Sequence, residues 1–231
     1  MERSSLPHVL KKWVFFGITV SPLLFVGFLL GNLDLKIFLN EFGQFLAGKV
    51  DIVQSESMTF SAIPNLIVVG VIAVTIFGTI DDIIAVTIGK PKLVEEMTKF
   101  LNMPLILLLV TFAIVSLIEE IVFRGLFLWI MPMAFQSSMA LYILVILSSF
   151  LFAAMHIFNY RKSGGCLYLV KGIPFFVEAL LFAFVFLKFG LLGAFIVHYV
   201  HNFIIPFDRR LQSVFIKEKA SGLTTQRVSS K

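Results

Sequence analysis

Between Met103 and Pro132 the chain reads MPLILLLVTFAIVSLIEEIVFRGLFLWIMP, an apolar run that carries Glu119, Glu120 and Arg124 near its middle. A bilayer-spanning helix needs about 20 apolar residues, and this run exceeds that. A charge at mid-bilayer depth costs about 2.5–3.5 kcal/mol on insertion scales, so such groups face a polar cavity or one another. At about 100° per residue, Arg124 lies within about 40° of Glu120 but about 140° from Glu119. The spacing predicts a Glu120–Arg124 pair and leaves Glu119 turned elsewhere. One guanidinium cannot neutralise two carboxylates, so the run is a candidate functional site inside the membrane.

The rest of the chain suits that setting. Hydrophobic residues make up 58% of the 231 and charged residues 14%, against an apolar share of about 45–50% in soluble domains. The fold class predicted is an all-α, polytopic integral membrane protein. Spanning helices are expected near 13–31, 62–82, 103–131, 139–158, 167–187 and 190–206, six crossings in all. With the N-terminus inside, fifteen of the nineteen Lys and Arg fall in inner segments, Lys36, Lys49 and Lys188 in outer ones, and Arg124 in the membrane. That asymmetry is an orientation signal and places both termini in the cytoplasm. The net charge of +5 thus reflects topology, and no nucleic-acid partner is implied. Cys166 is the single cysteine, which excludes an intrachain disulfide.

Taken in order, the run from Trp13 to Gly31 is longer than a signal-peptide core and is read as a retained anchor helix, kinked at Pro22. Leu35, Phe38, Phe42 and Phe45 then recur at helical spacing among polar residues, the pattern of an amphipathic helix lying in the interface. Asp81 and Asp82 end the next span at the inner boundary, and the segment from Gly89 to Phe100 mixes both signs of charge, as a surface loop and short helix do. The helix from Met139 closes on Phe152 and His156, four residues apart and so on one face. A turn at Ser163-Gly164-Gly165 precedes a span containing Pro174 and Glu178; Gly190 opens the last span, where His198 and Asn202 share a face and His201 lies about 60° away. The stretch from Phe207 onward is basic and rich in Ser and Thr, and is read as a disordered tail or one held at the anionic inner leaflet.

Singly, each polar residue has a structural explanation, since a membrane His can simply bond to a neighbouring helix. Together, Glu, His, His and Asn on three helices can converge on one polar cavity. Glu119-Glu120-x-x-x-Arg124, Phe152-x-x-x-His156 and His198-x-x-x-Asn202, in that order, resemble the three motifs of the CAAX protease and bacteriocin-processing (Abi) family of intramembrane proteases. The resemblance covers roughly residues 103 to 206; residues 1–102 supply membrane helices and interfacial segments, and 207–231 the tail.

The resemblance implies hydrolysis of a peptide bond inside the membrane. Glu119 would act as general base on a water that His156 helps to position, taking a proton and returning it to the leaving amine. His198 and Asn202 would donate hydrogen bonds to the developing oxyanion, and Glu120 with Arg124 would support the helix and its charge balance. The partners implied are membrane lipid and a peptide or lipidated protein substrate. No cofactor is expected. An alternative is a catalytic Zn²⁺ held by Glu119, His156 and His198, although no H-E-x-x-H helix is present and Glu120, about 100° away, would have to serve as base. A non-enzymatic, proton-coupled carrier is the further alternative; no internal repeat or pair of interrupted helices supports it. Glu178 and His201 stand outside the three motifs.

Overall fold

The structure, a computed structural model, describes residues 34–50, 56–88, 103–134, 137–160, 169–170 and 172–229, with isolated positions between 14 and 25. Expectations for Pro22, for residues 89–100 and for the Ser163–Cys166 turn lie outside them, as do the side chains of Asp81 and Asp82. All the regular structure among the described residues is helical. Helix α1 runs Leu35–Leu46, α2 Ala62–Ile88, α3 Leu105–Glu120, α4 Ser138–Tyr160 and α5 Gly172–Ser229.

Local chemistry sets several of these boundaries. Asp34 caps α1, its Oδ1 accepting from the backbone N–H of Lys36 at 2.9 Å and of Ile37 at 3.1 Å, which satisfies donors that a helix start leaves unpaired. Ser137 plays the same part for α4, accepting from Ala140 N–H at 3.2 Å. Within α2, Thr75 Oγ1 donates to Val71 O at 2.7 Å and Thr79 Oγ1 to Thr75 O at 2.5 Å. Their hydroxyls are thereby satisfied within the helix, where lipid offers no partner.

Among the described residues, four stretches are long and apolar enough to cross a membrane: Ala62–Ile80, Leu105–Met133, Ser138–Ile157 and Gly172–Phe207. The last is not one rod. Gly190 has φ 72° and ψ −171°, a conformation open to glycine and strained for residues with a Cβ, and it divides α5 into arms of residues 172–189 and 191–229. Phe182 and His198 would be about 24 Å apart along an unbroken helix, yet their rings stack at 4.6 Å. The arms therefore fold back on each other as a hairpin. From the start of α5 to Phe207, each arm is about 26–27 Å long, close to bilayer thickness.

This hairpin is the centre of the bundle. Its apolar window is 67% buried, against 17% for Leu105–Met133. Ala179, Phe182, Ala183, Phe184 and Val185 have no exposed surface. Helix α2 meets the second arm so closely at Gly70 that an added Cβ would lie 2.9 Å from the Val200 side chain, the small-residue contact by which membrane helices approach. The described positions of the first span include Phe16 and Val20, packed beside Val71, Val74 and Ile204.

The amphipathic stripe of α1 faces the hairpin: Phe38, Phe42 and Phe45 surround Phe184 at ring-centroid distances of 5.2, 5.4 and 5.4 Å. Lys188, at the bend, closes that end, pairing with Glu41 at 2.8 Å and Glu56 at 2.6 Å. Beyond Phe207 the backbone stays helical through Ser229, where the sequence suggested disorder. Pro206 does not end the helix, and no further proline follows it.

Helix α3 also departs from the regular α-helix its sequence suggests. After Glu120 the backbone changes to a π-helix over Ile121–Ile130 and closes with a 3₁₀ turn at Met131–Met133. Such i→i+5 segments are rare and are frequent at functional sites. This one begins at the residue after Glu120.

Candidate active site

Glu120 and Arg124 pair as their spacing predicts, with Arg124 Nη1 donating to Glu120 Oε1 at 3.1 Å and both side chains fully buried. The π-helical turn leaves them on one face, because four residues at roughly 80° each still nearly complete a circle. Arg124 Nη2 reaches across to donate to Ala179 O on the first hairpin arm at 3.2 Å. Its guanidinium also lies over the rings of Phe152, at 4.7 Å, and Phe182, at 5.4 Å. These contacts let a cation sit among apolar helices: hydrogen bonds to one partner, aromatic faces on the others.

His198 enters from the second arm and joins both carboxylates. Its Nδ1 lies 2.7 Å from Glu120 Oε1, a hydrogen bond in which the ring donates and the carboxylate accepts. Its Nε2 lies 3.1 Å from Glu119 Oε2, at ion-pair distance though without hydrogen-bond alignment. The ring is fixed by Phe182 stacked on it and by Phe152 edge-on at 5.6 Å. The two adjacent acids, on different faces of α3, thus meet the two nitrogens of one imidazole. They differ in access: the Glu119 side chain is 20% exposed and that of Glu120 is 0% exposed. Glu120 is enclosed in an ion-pair network; Glu119 is the more open of the two carboxylates.

His156 lies beside this group. Its Nδ1 is 2.9 Å from Phe152 O; a carbonyl accepts only, so the proton is on Nδ1 and Nε2 of the neutral ring is left with a lone pair. The ring stacks on Phe152 at 4.3 Å and is tilted against Phe175 at 4.9 Å. Phe152 therefore touches His156, His198 and Arg124, which accounts physically for an aromatic residue one turn before the His. Asn202 uses one amide N–H to donate to Ser116 Oγ at 3.1 Å; the amide has a second N–H.

All six residues singled out from the sequence, Glu119, Glu120, Arg124, His156, His198 and Asn202, thus lie around one centre built from α3, α4 and the hairpin. His156 is joined to the carboxylates through Phe152, which contacts both its ring and that of His198, with no direct hydrogen bond between them among the described residues. As they stand, Glu119, His156 and His198 do not converge on one point, and no three His, Cys, Asp or Glu among the described residues are grouped as a metal ion requires.

Four contributors were not assigned from sequence. Ser116 is fully buried, and its spacing of four residues from Glu120 was an available signal. Phe182 carries no polar group, so nothing in its own chemistry marked it. Glu178 and His201 were visible but unassigned; the hairpin brings Glu178 Oε1 and His201 Nδ1 to 2.6 Å.

The helices and their buried centre define a class, a polytopic helical membrane protein with a Glu–His–Arg cluster enclosed by its spanning segments. A family model described as type II CAAX prenyl endopeptidase Rce1-like matches residues 101–204, the segment that contains all three motifs. That match agrees with the family resemblance carried by those motifs and implies a protease. No curated protein and no solved structure matches the chain.

Proposed function

We propose that the protein is an intramembrane endopeptidase acting on a membrane-associated peptide or lipidated protein, with Glu119 as general base. The observation that carries this reading is the difference between the adjacent carboxylates. Glu120 is sealed against Arg124 and His198, whereas Glu119 is held by the same imidazole yet partly open.

In this mechanism a water lies between Glu119 and the Nε2 lone pair of His156, which accepts one of its O–H bonds. As the water oxygen attacks the scissile carbonyl carbon, its proton passes to Glu119. In this mechanism the His198 ring, with a carboxylate at each nitrogen, carries both protons; once Glu119 is protonated its pull on Nε2–H falls, and that donor turns to the developing oxyanion. Asn202 adds its second N–H, the first being held by Ser116. Donors already in place at a developing charge contribute about 2.7–4 kcal/mol each to catalysis. Collapse of the tetrahedral intermediate breaks the C–N bond, and Glu119 returns its proton to the leaving amine.

We take the chemistry to be metal-free. What supports this is the donor set: His198 turns both nitrogens to carboxylates, and His156 directs Nδ1 to a backbone carbonyl. We also take the chain to cross the membrane six times with both termini cytoplasmic and α1 in the outer interface. The charge asymmetry and the hairpin at Gly190 support that arrangement. The test is a proteomic comparison of membranes from cells with the wild-type protein and with Glu119→Gln: substrates accumulate uncleaved in the variant while its folded yield matches wild type. Normal cleavage by Glu119→Gln would refute the assignment.

A further inference from the structure

A second buried His–carboxylate pair lies in the same hairpin, outside the three motifs. Glu178, on the first arm, and His201, on the second, lie 2.6 Å apart with side chains 4% and 12% exposed. Neither contacting atom, Glu178 Oε1 or His201 Nδ1, has a hydrogen-bond partner among the described residues; the two meet at ion-pair distance without hydrogen-bond alignment. An unpaired carboxylate at that depth is costly, so each group is held in place chiefly by the other.

Its position relative to the centre gives the pair a further consequence. Glu178 is one helical turn before Phe182, on the same face. His201 is three residues after His198. Phe182 stands between them, stacked on His198 with ring planes 23° apart and edge-on to His201 at 6.3 Å. Ala179, next to Glu178, holds Arg124 through its carbonyl. A tie at 178–201 thus sets the mutual rotation of the two arms where one presents Phe182 and the other presents His198.

We propose that Glu178 and His201 form a positioning pair that holds the His198 imidazole, through Phe182, in the orientation that meets both Glu119 and Glu120. Loosening the tie lets the arms rotate and the ring turn, and a misplacement of about 1 Å at a reacting group can lower rate about 100-fold while leaving binding intact. This inference rests on the protease reading for its kinetic consequence, but the ring geometry can be measured without any substrate.

The test has two arms. In the first, purified Glu178→Ala, His201→Ala, the double variant and Phe182→Leu are assayed on a substrate found by the Glu119→Gln comparison. Each single change is expected to lower kcat at least tenfold with KM within twofold. The double variant falls no further than the worse single one, because both act through one tie. Glu178→Gln, whose amide oxygen can still accept from His201, recovers at least a third of the wild-type kcat. In the second arm, protein labelled with ¹⁵N in its imidazoles is examined by NMR in lipid nanodiscs; the chain has four histidines, His8, His156, His198 and His201, assigned by substitution. The His198 ring signals should shift in Phe182→Leu and Glu178→Ala and stay in place in Leu192→Ala, a change on the exposed face beyond the bend.

Phe182→Leu keeps an apolar side chain and decides the matter if the charged-pair variants fold poorly. Unmoved His198 signals in Phe182→Leu, or wild-type kcat in that variant, would overturn the proposal. Failure of the protease reading looks different: Glu119→Gln would cleave normally, while the NMR arm would still decide the role of the pair.

Discussion

Removing the guanidinium of Arg124 isolates what supports the buried centre. In Arg124→Ala, Glu120 Oε1 loses its 3.1 Å donor, Ala179 O loses its 3.2 Å donor, and the rings of Phe152 and Phe182 lose the cation above them. Breaking a buried ion pair from one side costs about 3–5 kcal/mol, because the remaining charge stays in a poor solvent. Here Glu120 keeps His198 Nδ1–H at 2.7 Å, so the loss should fall at the lower end, about 3 kcal/mol. That is roughly a 150-fold shift toward the unfolded side at 1.4 kcal/mol per tenfold.

The assay is the monodisperse fraction in detergent as a function of temperature, with Glu120→Gln introduced singly and together with Arg124→Ala. The double variant leaves no uncompensated charge in that pair, so it should recover at least half of the stability lost in Arg124→Ala. The two effects should therefore be strongly non-additive. Arg124→Ala within about 0.5 kcal/mol of wild type, the range of an ordinary surface change, would refute the claim that this ion pair holds the centre together.

Two further predictions follow from the site and the topology. Chelator treatment followed by elemental analysis should leave cleavage intact with no stoichiometric zinc; loss of activity restored only by added Zn²⁺ would overturn the metal-free mechanism. In a Cys166→Ala background, a membrane-impermeant thiol reagent on intact cells should label a cysteine at Ser137 and spare one at Ser163, and the reverse pattern would place the mouth of the site outside.

How much of this was legible in advance differs from residue to residue. The Glu120–Arg124 pair followed from spacing alone, since two residues four apart meet on one face whether the turn is α or π. Phe38, Phe42 and Phe45 likewise followed from period, and the structure sets all three against Phe184. Glycine at position 190 marked a boundary, but its φ of 72° and the reversal of the chain are properties of the packed hairpin. The helical continuation to Ser229 and the π-helix after Glu120 were also not written in the local pattern. Apolar side chains of similar size suit either helical form, and the choice depends on neighbours.

The chain by itself determines that it resides in a membrane, which segments are apolar enough to cross it, and which polar residues must be explained. These follow from composition and from one-dimensional period, because the transfer of each side chain from water to lipid depends mainly on that side chain. Tertiary structure alone decides which imidazole meets which carboxylate. His198 is 78 residues from Glu120 and His201 is 23 from Glu178, separations across which period carries no information. The fold-back at Gly190 brings Phe182 onto His198 and Glu178 onto His201, and that closure depends on the packing of both arms against α2, α3 and α4. A polar atom in lipid must find its partner within the protein, so the charges announce that a site exists, and only the packed bundle supplies its geometry.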